Sequence, residues 1–242
     1  SNTIKTQKND GGFSSDATSE RLESLDKWLS KVKGSPKRWP KPTVQSVKAP
    51  DDETKWVRII DNVFTEKECK KIIQATEKLG YGRALVNIGL GRQKYMPEVR
   101  NNDRVMVDDH NLAQHIFERI EPVVPSVWLN RNVIGLNERL RFLRYDDGQE
   151  FAEHYDGCYM RQNGECSMIT VQLYLNGGFE GGATTFKSPR SRNKTLPVIP
   201  KPGRVLLFEH RILHEGSILK KGRKYCMRTD IMYTKEKIRI KD

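Results

Sequence analysis

The chain has 242 residues, which is enough for one large domain or at most two small ones. Hydrophobic residues make up 36% and charged residues 31% of the chain, a composition typical of a globular protein in water. No stretch reaches the roughly 18 consecutive apolar residues of a membrane span. No charged start followed by an apolar segment marks secretion either. We therefore expect a protein of the cell interior, cytoplasmic or nuclear, without a membrane span.

The four cysteines agree with a reducing compartment. They show no Cys-x-x-Cys spacing and are expected to be free thiols. Cys158 and Cys166 flank a short loop, so a disulfide between them stays an open alternative, because a sequence does not establish the pairing geometry.

The formal net charge of +12 raises the question of a nucleic-acid partner. Basic residues cluster in segments 187–194, 220–224 and 235–241, and such clusters can form a phosphate-binding surface. A run of charges is more often a solvated surface. Nucleic acid is therefore an alternative partner that the sequence does not favour.

Three segments are expected along the chain. Residues 1–20 are rich in small polar residues and lack periodic apolar positions, which indicates disorder. Residues 21–54 are expected to form a helix that stops at Gly34, followed by an arm rich in proline and lysine. Residues 55–242 are then expected to form the main domain, beginning with a strand over 55–64.

Two helices are predicted within the main domain. Residues 65–68 match a capping box, and the apolar positions that follow keep helical spacing up to Leu79. A second helix is predicted over 109–121, where His110 and His115 are expected to be surface or packing residues. The segment 80–104 between the helices is long, polar and contains glycines, which is typical of a functional or mobile loop.

Two later strands are predicted to have one polar and one apolar face, because polar and apolar residues alternate along them. The polar face of the first strand, over 168–175, carries Thr170, Gln172 and Tyr174. The corresponding face of the last strand carries Lys224, Cys226, Arg228 and Asp230. Such a face is ordinarily exposed to solvent, but a barrel with an active site inside it also requires one.

Two histidines and an aspartate indicate a metal site. His154 and Asp156 are two residues apart, so on an extended segment their side chains leave the same side and can converge on one ion. A third ligand must come from another strand, and His214 lies where a strand is predicted to start. Two imidazoles and one carboxylate on one face of Fe(II) leave positions open for a cosubstrate and dioxygen. Alone, a His-x-Asp pair more often forms a surface hydrogen bond.

Four further motifs extend this pattern: RYDDGQEF at 144–151, LYLN at 173–176, EGGATTF at 180–186 and PKPG at 200–203. With them, the chain from about residue 55 to 233 resembles the prolyl 4-hydroxylase-like branch of the Fe(II)/2-oxoglutarate-dependent dioxygenases. The resemblance implies a mainly β fold with helical support, built on a double-stranded β-helix (jelly roll, cupin-like). It implies Fe(II), 2-oxoglutarate as cosubstrate and ascorbate as a candidate reductant.

The resemblance also implies roles for single residues. His154, Asp156 and His214 match the family's metal ligands, which form its catalytic centre. His210 ranks below His214, because only His214 is followed by Glu-Gly and lies at the matching distance from Lys224. Lys224 itself matches the basic residue that pairs with the distal carboxylate of 2-oxoglutarate.

Further candidates for contact with the cosubstrate are Tyr145 and Thr170, with Tyr174 as the weaker one. Arg228 lies on the same face as Lys224, roughly 13 Å further along at about 3.3 Å per residue. We expect Arg228 nearer the iron, the C1 carboxylate or the substrate. Which of the two cations binds the distal carboxylate stays open.

Arg100 and Arg161 are the substrate-side candidates, and each is equally well explained as an ordinary surface arginine. The function that we expect is hydroxylation of a prolyl residue in a peptide or protein, with release of succinate and CO2. A nucleic-acid or free-amino-acid oxygenase on the same core is the first alternative. A catalytically inactive binding module is the second, and the intact ligand set argues against it. The oligomeric state is left open.

Overall fold

The computed structural model describes residues 41–89 and 92–235. The segment 1–20, the expected helix before Gly34 and most of the basic segment 235–241 lie outside these residues. The arm expected within 21–54 is described only from residue 41 onward, where it includes one short strand that pairs antiparallel with the first strand of the main domain.

The described residues form eighteen strands. In chain order they are β1 (Thr43–Ser46), β2 (Val57–Asp61), β3 (Gly82–Arg83), β4 (Val86–Asn87), β5 (Gln93–Lys94), β6 (Asp103–Asp108), β7 (Val127–Trp128), β8 (Arg131–Leu136), β9 (Arg139–Tyr145), β10 (Phe151–His154), β11 (Cys166–Tyr174), β12 (Glu180–Gly181), β13 (Thr184–Lys187), β14 (Thr195–Val198), β15 (Val205–Glu209), β16 (His214–Gly216), β17 (Leu219–Lys221) and β18 (Lys224–Tyr233).

Two α-helices are present in the same part of the chain, α1 (Glu66–Leu79) and α2 (His110–Ile120). The capping box is confirmed: Thr65 Oγ1 accepts from the amide of Glu68, and the Glu68 carboxylate accepts from the amide of Thr65. The second helix begins after Asp109, whose side chain accepts from the amide of Leu112. Both predicted helices are therefore confirmed, and neither is long and apolar enough to cross a membrane.

The strands form two main sheets. The larger has ten strands in the order β1-β2-β15-β11-β18-β9-β6-β3, with β8 joined to β18 and β7 to β8. The smaller has four, in the order β10-β16-β13-β14. Two further pairs, β12 with β17 and β4 with β5, complete the strands. Sequence neighbours are rarely sheet neighbours, so the site residues meet only when distant segments pair.

The larger sheet separates two hydrophobic clusters. On one face, Ile169 and Val171 of β11 pack in a cluster with Ile72 of α1 and Ile116 of α2. On the other face, Tyr174 of β11 joins a cluster with residues of the smaller sheet, including Phe186 and Val198. Because side chains alternate along a strand, each central strand faces the helices with one set of residues and the smaller sheet with the other. The candidate site lies between the two sheets.

The segment 80–104 differs from the expected loop. It contains β3, β4, β5 and the first residues of β6. These first three strands have two residues each. Alternation cannot be recognised over two residues, so sequence patterns give no sign of them.

Gly203 lies in a closely packed turn before β15. Its φ is +74°, and a Cβ there would lie 1.9 Å from the carbonyl oxygen of Phe64. Gly80 has a similar φ of +82°, with nothing within 4 Å of its would-be Cβ. We predict that Gly203→Ala lowers the free energy of unfolding by more than about 3 kcal/mol, whereas Gly80→Ala lowers it by only about 1 kcal/mol. Urea denaturation measures both values, and equal losses would mean that backbone conformation alone requires the glycine at 203.

Candidate active site

Three side chains converge where the smaller sheet faces the larger one. His154 ends β10, His214 begins the neighbouring β16, and the two residues are partners in the register of that pair. Asp156 lies between their imidazoles: its Oδ1 is 3.6 Å from His154 Nε2 and its Oδ2 is 3.7 Å from His214 Nε2. One ligand atom from each of the three lies within 4.8 Å of the others. This is the one such cluster found in residues 41–89 and 92–235.

Both imidazoles are oriented by the same local contact. The carbonyl of Ala152 lies 2.7 Å from His154 Nδ1, and that of Ile212 lies 2.9 Å from His214 Nδ1. A carbonyl can only accept, so each Nδ1 carries the proton and donates it, which leaves Nε2 free to bind a metal. Burial, together with the neighbouring His214, lowers the pKa of His154 to about 4, and burial also lowers the pKa of His214. The rings are therefore neutral, which is the form that coordinates metals.

Asp156 is held in its ionised form. Burial on its own raises the pKa of this carboxyl, but Arg228 and the two imidazoles outweigh burial and hold the pKa well below its usual range. Arg228 lies 2.9 Å from Oδ1, and Thr170 Oγ1 donates to Oδ2 at 2.6 Å. The sequence placed Thr170 against the cosubstrate, whereas in the structure its hydroxyl bonds to the candidate metal ligand.

A chain of hydrogen bonds continues behind Asp156. Because Thr170 uses its only proton on the carboxylate, it accepts from His210 Nδ1 at 2.9 Å. His210 Nε2 is then an acceptor for Ser167 Oγ at 3.0 Å. The backbone carbonyl of His210 also accepts from the amide of Asp156 at 3.2 Å. His210 therefore supports the aspartate and lies outside the three-residue cluster, a role that sequence reasoning missed.

These residues fit a divalent transition metal. Two imidazole nitrogens and one carboxylate, close together and mostly buried, are the donor set of non-haem Fe(II) sites that keep open positions. Each ligand is also oriented by a second hydrogen bond, as metal-binding histidines and carboxylates usually are. Bound Fe(II) would supply the reaction with dioxygen, and the protein side chains would supply its position.

Lys224 is a buried cation in the same pocket. It is 2% exposed, its Nζ donates to the carbonyl of Gly182 at 2.6 Å, and it lies 4.9 Å from the ring centre of Tyr145 and 5.9 Å from that of Tyr174. Among the described residues, no carboxylate pairs with it. Burial lowers the pKa of Lys224, since a charge is costly to bury without a partner. The distal carboxylate of 2-oxoglutarate fits this need.

The pocket brings together most, but not all, of the predicted residues. It is lined by His154, Asp156, His214, Lys224, Arg228, Tyr145 and Arg100, and also by residues that the sequence did not single out, among them Arg141, Phe151, Gln172 and Thr184. Tyr174 lies behind Lys224 and donates its hydroxyl proton to Thr184 at 2.7 Å. Arg161 is outside the lining and forms ion pairs with Glu138 and Glu165. Its role toward substrate stays a prediction that this geometry does not support.

None of the four cysteines lines this pocket, although Cys226 is an electrostatic neighbour of Lys224. Cys69, Cys166 and Cys226 are buried, Cys158 is exposed, and all four are free. Burial raises the pKa of the Cys69 thiol to about 12.

Fold and site together give a jelly-roll protein with a candidate mononuclear metal site and, in the same pocket, a buried lysine that no described carboxylate pairs with. Residues 140–229 match the family model of the 2OG-Fe(II) oxygenase superfamily. That segment contains the three candidate ligands, Lys224 and Arg228. The chain resembles the prolyl 4-hydroxylase-like branch of this superfamily, and residues 140–229 are identified with the domain of a 2-oxoglutarate-dependent dioxygenase. The family uses Fe(II) and 2-oxoglutarate, and the resemblance found in the sequence is confirmed.

Curated relatives show the same resemblance. One relative is a protein of Acanthamoeba polyphaga mimivirus that is named as a candidate prolyl 4-hydroxylase. It is 26% identical over 161 residues, which cover 62% of this chain and 59% of that protein. Prolyl 4-hydroxylase 5 of Arabidopsis thaliana is 23% identical over 208 residues, covering 71% of this chain and 69% of the relative. The chain thus spans less than two thirds of the mimivirus relative.

Solved structures support the fold. A viral collagen prolyl hydroxylase from Paramecium Bursaria Chlorella virus-1, in complex with 2OG, matches with a TM-score of 0.50 and 20% identity, over 73% of this chain and 95% of that one. A prolyl-4-hydroxylase of Pseudomonas putida matches with a TM-score of 0.53 and 13% identity, over 86% and 98%. The expected jelly-roll core is confirmed.

The first site prediction concerns the metal. His154→Ala and His214→Ala should each lose stoichiometric Fe(II) or Mn(II), because two ligands remain. His210→Ala should keep the metal but bind it about 10- to 100-fold more weakly, as when an orienting partner of a ligand is removed. Metal content after dialysis measures this, and His110→Ala, an exposed histidine of α2, is the control. Metal retained in His214→Ala but lost in His210→Ala would assign the third ligand to His210.

The second site prediction concerns Lys224. Lys224→Met should raise the KM for 2-oxoglutarate by roughly 10- to 100-fold, since it removes a charge-assisted bond, and should leave the metal content unchanged. Without 2-oxoglutarate this variant should melt at a higher temperature than the wild type, because a buried charge without a carboxylate partner is gone. If instead Arg228→Gln raises the KM and Lys224→Met does not, Arg228 is the anchor for the cosubstrate.

Proposed function

We propose that this protein is an Fe(II)- and 2-oxoglutarate-dependent dioxygenase that hydroxylates a prolyl residue in a peptide or protein. The observation that carries the proposal is one pocket that contains both the His-Asp-His cluster and a buried lysine without a carboxylate partner among the described residues. The first provides for a metal, and the second for a dicarboxylate cosubstrate. A buried charge without a partner costs free energy, so the lysine is better explained by a bound carboxylate than by the stability of the fold.

In the proposed reaction the two oxygen atoms of dioxygen go to the cosubstrate and to the substrate. 2-Oxoglutarate loses CO2 and takes one oxygen atom of dioxygen to become succinate. The other oxygen atom enters the substrate C–H bond as a hydroxyl group. The chain's own contribution is to hold the distal carboxylate at Lys224, to keep Asp156 ionised, and to keep both imidazoles neutral with Nε2 toward the metal position.

The choice of a prolyl substrate rests on the names of the relatives and on the surface beside the site. The relatives and solved structures described above are named prolyl 4-hydroxylases or prolyl hydroxylases. Tyr155, between two candidate ligands in the sequence, is 54% exposed, and Met160 shortly after them is 67% exposed. With Tyr159, which is 44% exposed, these side chains offer a peptide apolar groups to contact close in sequence to the candidate ligands.

Nucleic acid is a weaker candidate in view of the ion pairs in the basic segment 187–194. Lys187 pairs with both Glu153 and Glu215, and Lys194 pairs with Asp51. Charges neutralised within the protein contribute less to binding a phosphate backbone.

A substrate screen by mass spectrometry tests the proposal. Proline-containing peptides, free amino acids and methylated oligonucleotides are each incubated with Fe(II), 2-oxoglutarate and dioxygen. We expect a mass gain of one oxygen on proline in at least one peptide, with one succinate formed per hydroxyl group. Loss of a methyl group from an oligonucleotide, with every peptide unchanged, would refute the prolyl hydroxylase assignment.

A separate experiment tests whether the basic segment 187–194 contributes to substrate binding. Replacing Arg190, Arg192 and Lys194 together by glutamine should change kcat/KM for the peptide by less than about twofold, because surface charges beside a site contribute little. Turnover at 50 and 200 mM salt is compared for the triple variant and the wild type. A steep, salt-dependent loss of activity on oligonucleotides in the triple variant would instead identify this segment as a nucleic-acid contact.

A further inference from the structure

Arg100 occupies an unusual place beside the candidate metal site. Its backbone forms a β-bridge with Phe151, and the neighbouring carbonyl of Val99 accepts from the amide of Ala152 at 2.8 Å, so the residue is fixed along the start of β10. The guanidinium lies 4.5 Å from the centre of the Phe151 ring, and that ring is stacked on His154 at 3.7 Å. One aromatic ring therefore separates Arg100 from a candidate metal ligand.

The charge of Arg100 has no counterpart in the described part of the chain. The side chain is 7% exposed, and its Nε donates to the amide oxygen of Asn102 at 2.7 Å. No carboxylate between residues 41 and 89 or between 92 and 235 forms an ion pair with it. Burial lowers the pKa of Arg100, and the nearby Arg228 and Arg141 lower it further. A buried arginine surrounded by other cations is costly unless an anion joins it.

The pocket as a whole has too few carboxylates. Four cations line it: Lys224, Arg100, Arg141 and Arg228. Of the carboxylates that pair with them, Asp230 is shared by Arg141 and Arg228, and Asp156 by Arg228 and the metal position. The two positive charges of a divalent metal and the two negative charges of 2-oxoglutarate cancel. The remaining carboxylate of the lining, Glu215, is paired with Lys187. Positive charge is therefore left in excess on the arginine side of the pocket.

An unused donor points to the same missing group. The Nε of Arg228 is buried and has no hydrogen-bond partner among the described residues. Leaving a charged donor unpaired in a protein interior is costly. An acceptor is therefore missing from the arginine side of this pocket.

The arginine side is separate from the lysine side. Arg228 and Arg141 are electrostatic neighbours of Arg100 and lie opposite each other on β18 and β9, whereas Lys224 lies four residues from Arg228 along β18, opposite Tyr145. Tyr145 lies between the two sides: its ring centre is 4.9 Å from Lys224 Nζ, and Arg100 is its electrostatic neighbour. One 2-oxoglutarate anchored at Lys224 therefore leaves Arg100 and its neighbours to a second anion.

We propose that Arg100, assisted by Arg141, binds a carboxylate of the substrate, so that the enzyme selects an acidic group next to the residue that it hydroxylates. The proposal rests on the function proposed above and adds the substrate class. A planar carboxylate matches the terminal nitrogens of a guanidinium whose Nε is already used. In a peptide this carboxylate belongs to Asp or Glu beside the proline, and in a free amino acid it is the α-carboxylate.

The test uses one set of probes on the full chain. Synthetic peptides carry a single proline flanked by Asp or Glu, or by the isosteric Asn or Gln, and L-proline is compared with L-prolinamide. Binding is measured at equilibrium on protein loaded with Zn(II) and an unreactive 2-oxoglutarate analogue, so turnover is not needed. kcat, KM and the site of oxidation are then measured with Fe(II) and 2-oxoglutarate.

We expect an acidic probe to bind roughly 10- to 100-fold more tightly than its amide, as a charge-assisted bond predicts. Arg100→Gln should abolish that preference, leave the KM for 2-oxoglutarate unchanged and leave binding of the amide probe unchanged. Arg100→Lys should restore part of the preference. Arg58→Gln is the matched control, because Arg58 stacks over Trp56 at 5.1 Å in the same way and lies outside the pocket.

Each outcome decides the proposal. A preference for acidic peptides that Arg100→Gln removes supports it, and a preference for L-proline over prolinamide supports the carboxylate while refuting the peptide substrate. If each acidic probe binds no better than its amide, the proposal is wrong, whether or not any proline is oxidised. A rise in the KM for 2-oxoglutarate in Arg100→Gln, with the acidic preference intact, would assign Arg100 to the cosubstrate.

Discussion

The burial of cations that the described part of the protein does not neutralise is the constraint on which this site depends. Lys224 and Arg100 are each more than nine-tenths buried, and no described carboxylate pairs with either. Such burial costs free energy in the absence of ligands, since desolvation is not repaid by a partner. Apolar packing elsewhere has to offset that cost. Ligands of opposite charge recover it when they bind, so the charge of the pocket itself favours anions.

The alternation of side chains along two central strands separates the stabilising and the functional residues. In β18, Tyr225, Met227 and Ile231 pack toward the helices, while Lys224 and Arg228 face the smaller sheet. In β11 the aliphatic residues pack in the same cluster as the helices, and the polar ones contact the site. Because these strands are adjacent, with Arg228 opposite Gln172, one side of the sheet forms a continuous core and the other a continuous polar surface. A shift of one residue in this register would exchange the two.

The sequence predicted those features that depend on local spacing. The capping box at Thr65, both helices and the alternation in β11 and β18 follow from periods of 3.6 and 2, and all are confirmed. Convergence of His154 with Asp156 also follows from a spacing of two. The pairing of His214 with His154 depends on a contact sixty residues apart along the chain, so it came from the resemblance and not from periodicity.

Other features depend on which distant segments meet. The role of His210 requires that β11 and β15 pair so that Ser167 and Thr170 reach both ring nitrogens. Arg141 lies in a strand whose arginines look like an ordinary exposed face, and only its pairing with Arg228 brings it to the pocket. The inward polar face of β11 contained a sequence signal for these contacts. Without the strand order, nothing showed which histidine those hydroxyl groups would bind.

Asp156 connects the arginine side of the pocket with the metal position. Its Oδ1 is already paired with Arg228 and its Oδ2 with Thr170, so the carboxylate arrives oriented, and each oxygen keeps a second lone pair for the metal. Arg228 makes this carboxylate a weaker base than a free aspartate, and its positive charge opposes a cation at the metal position. The Asp230 carboxylate reduces this repulsion, because its Oδ1 also pairs with the Arg228 guanidinium at 3.2 Å. An anion bound on the arginine side would further reduce the repulsion between Arg228 and the metal cation. Substrate and metal should therefore stabilise each other's binding.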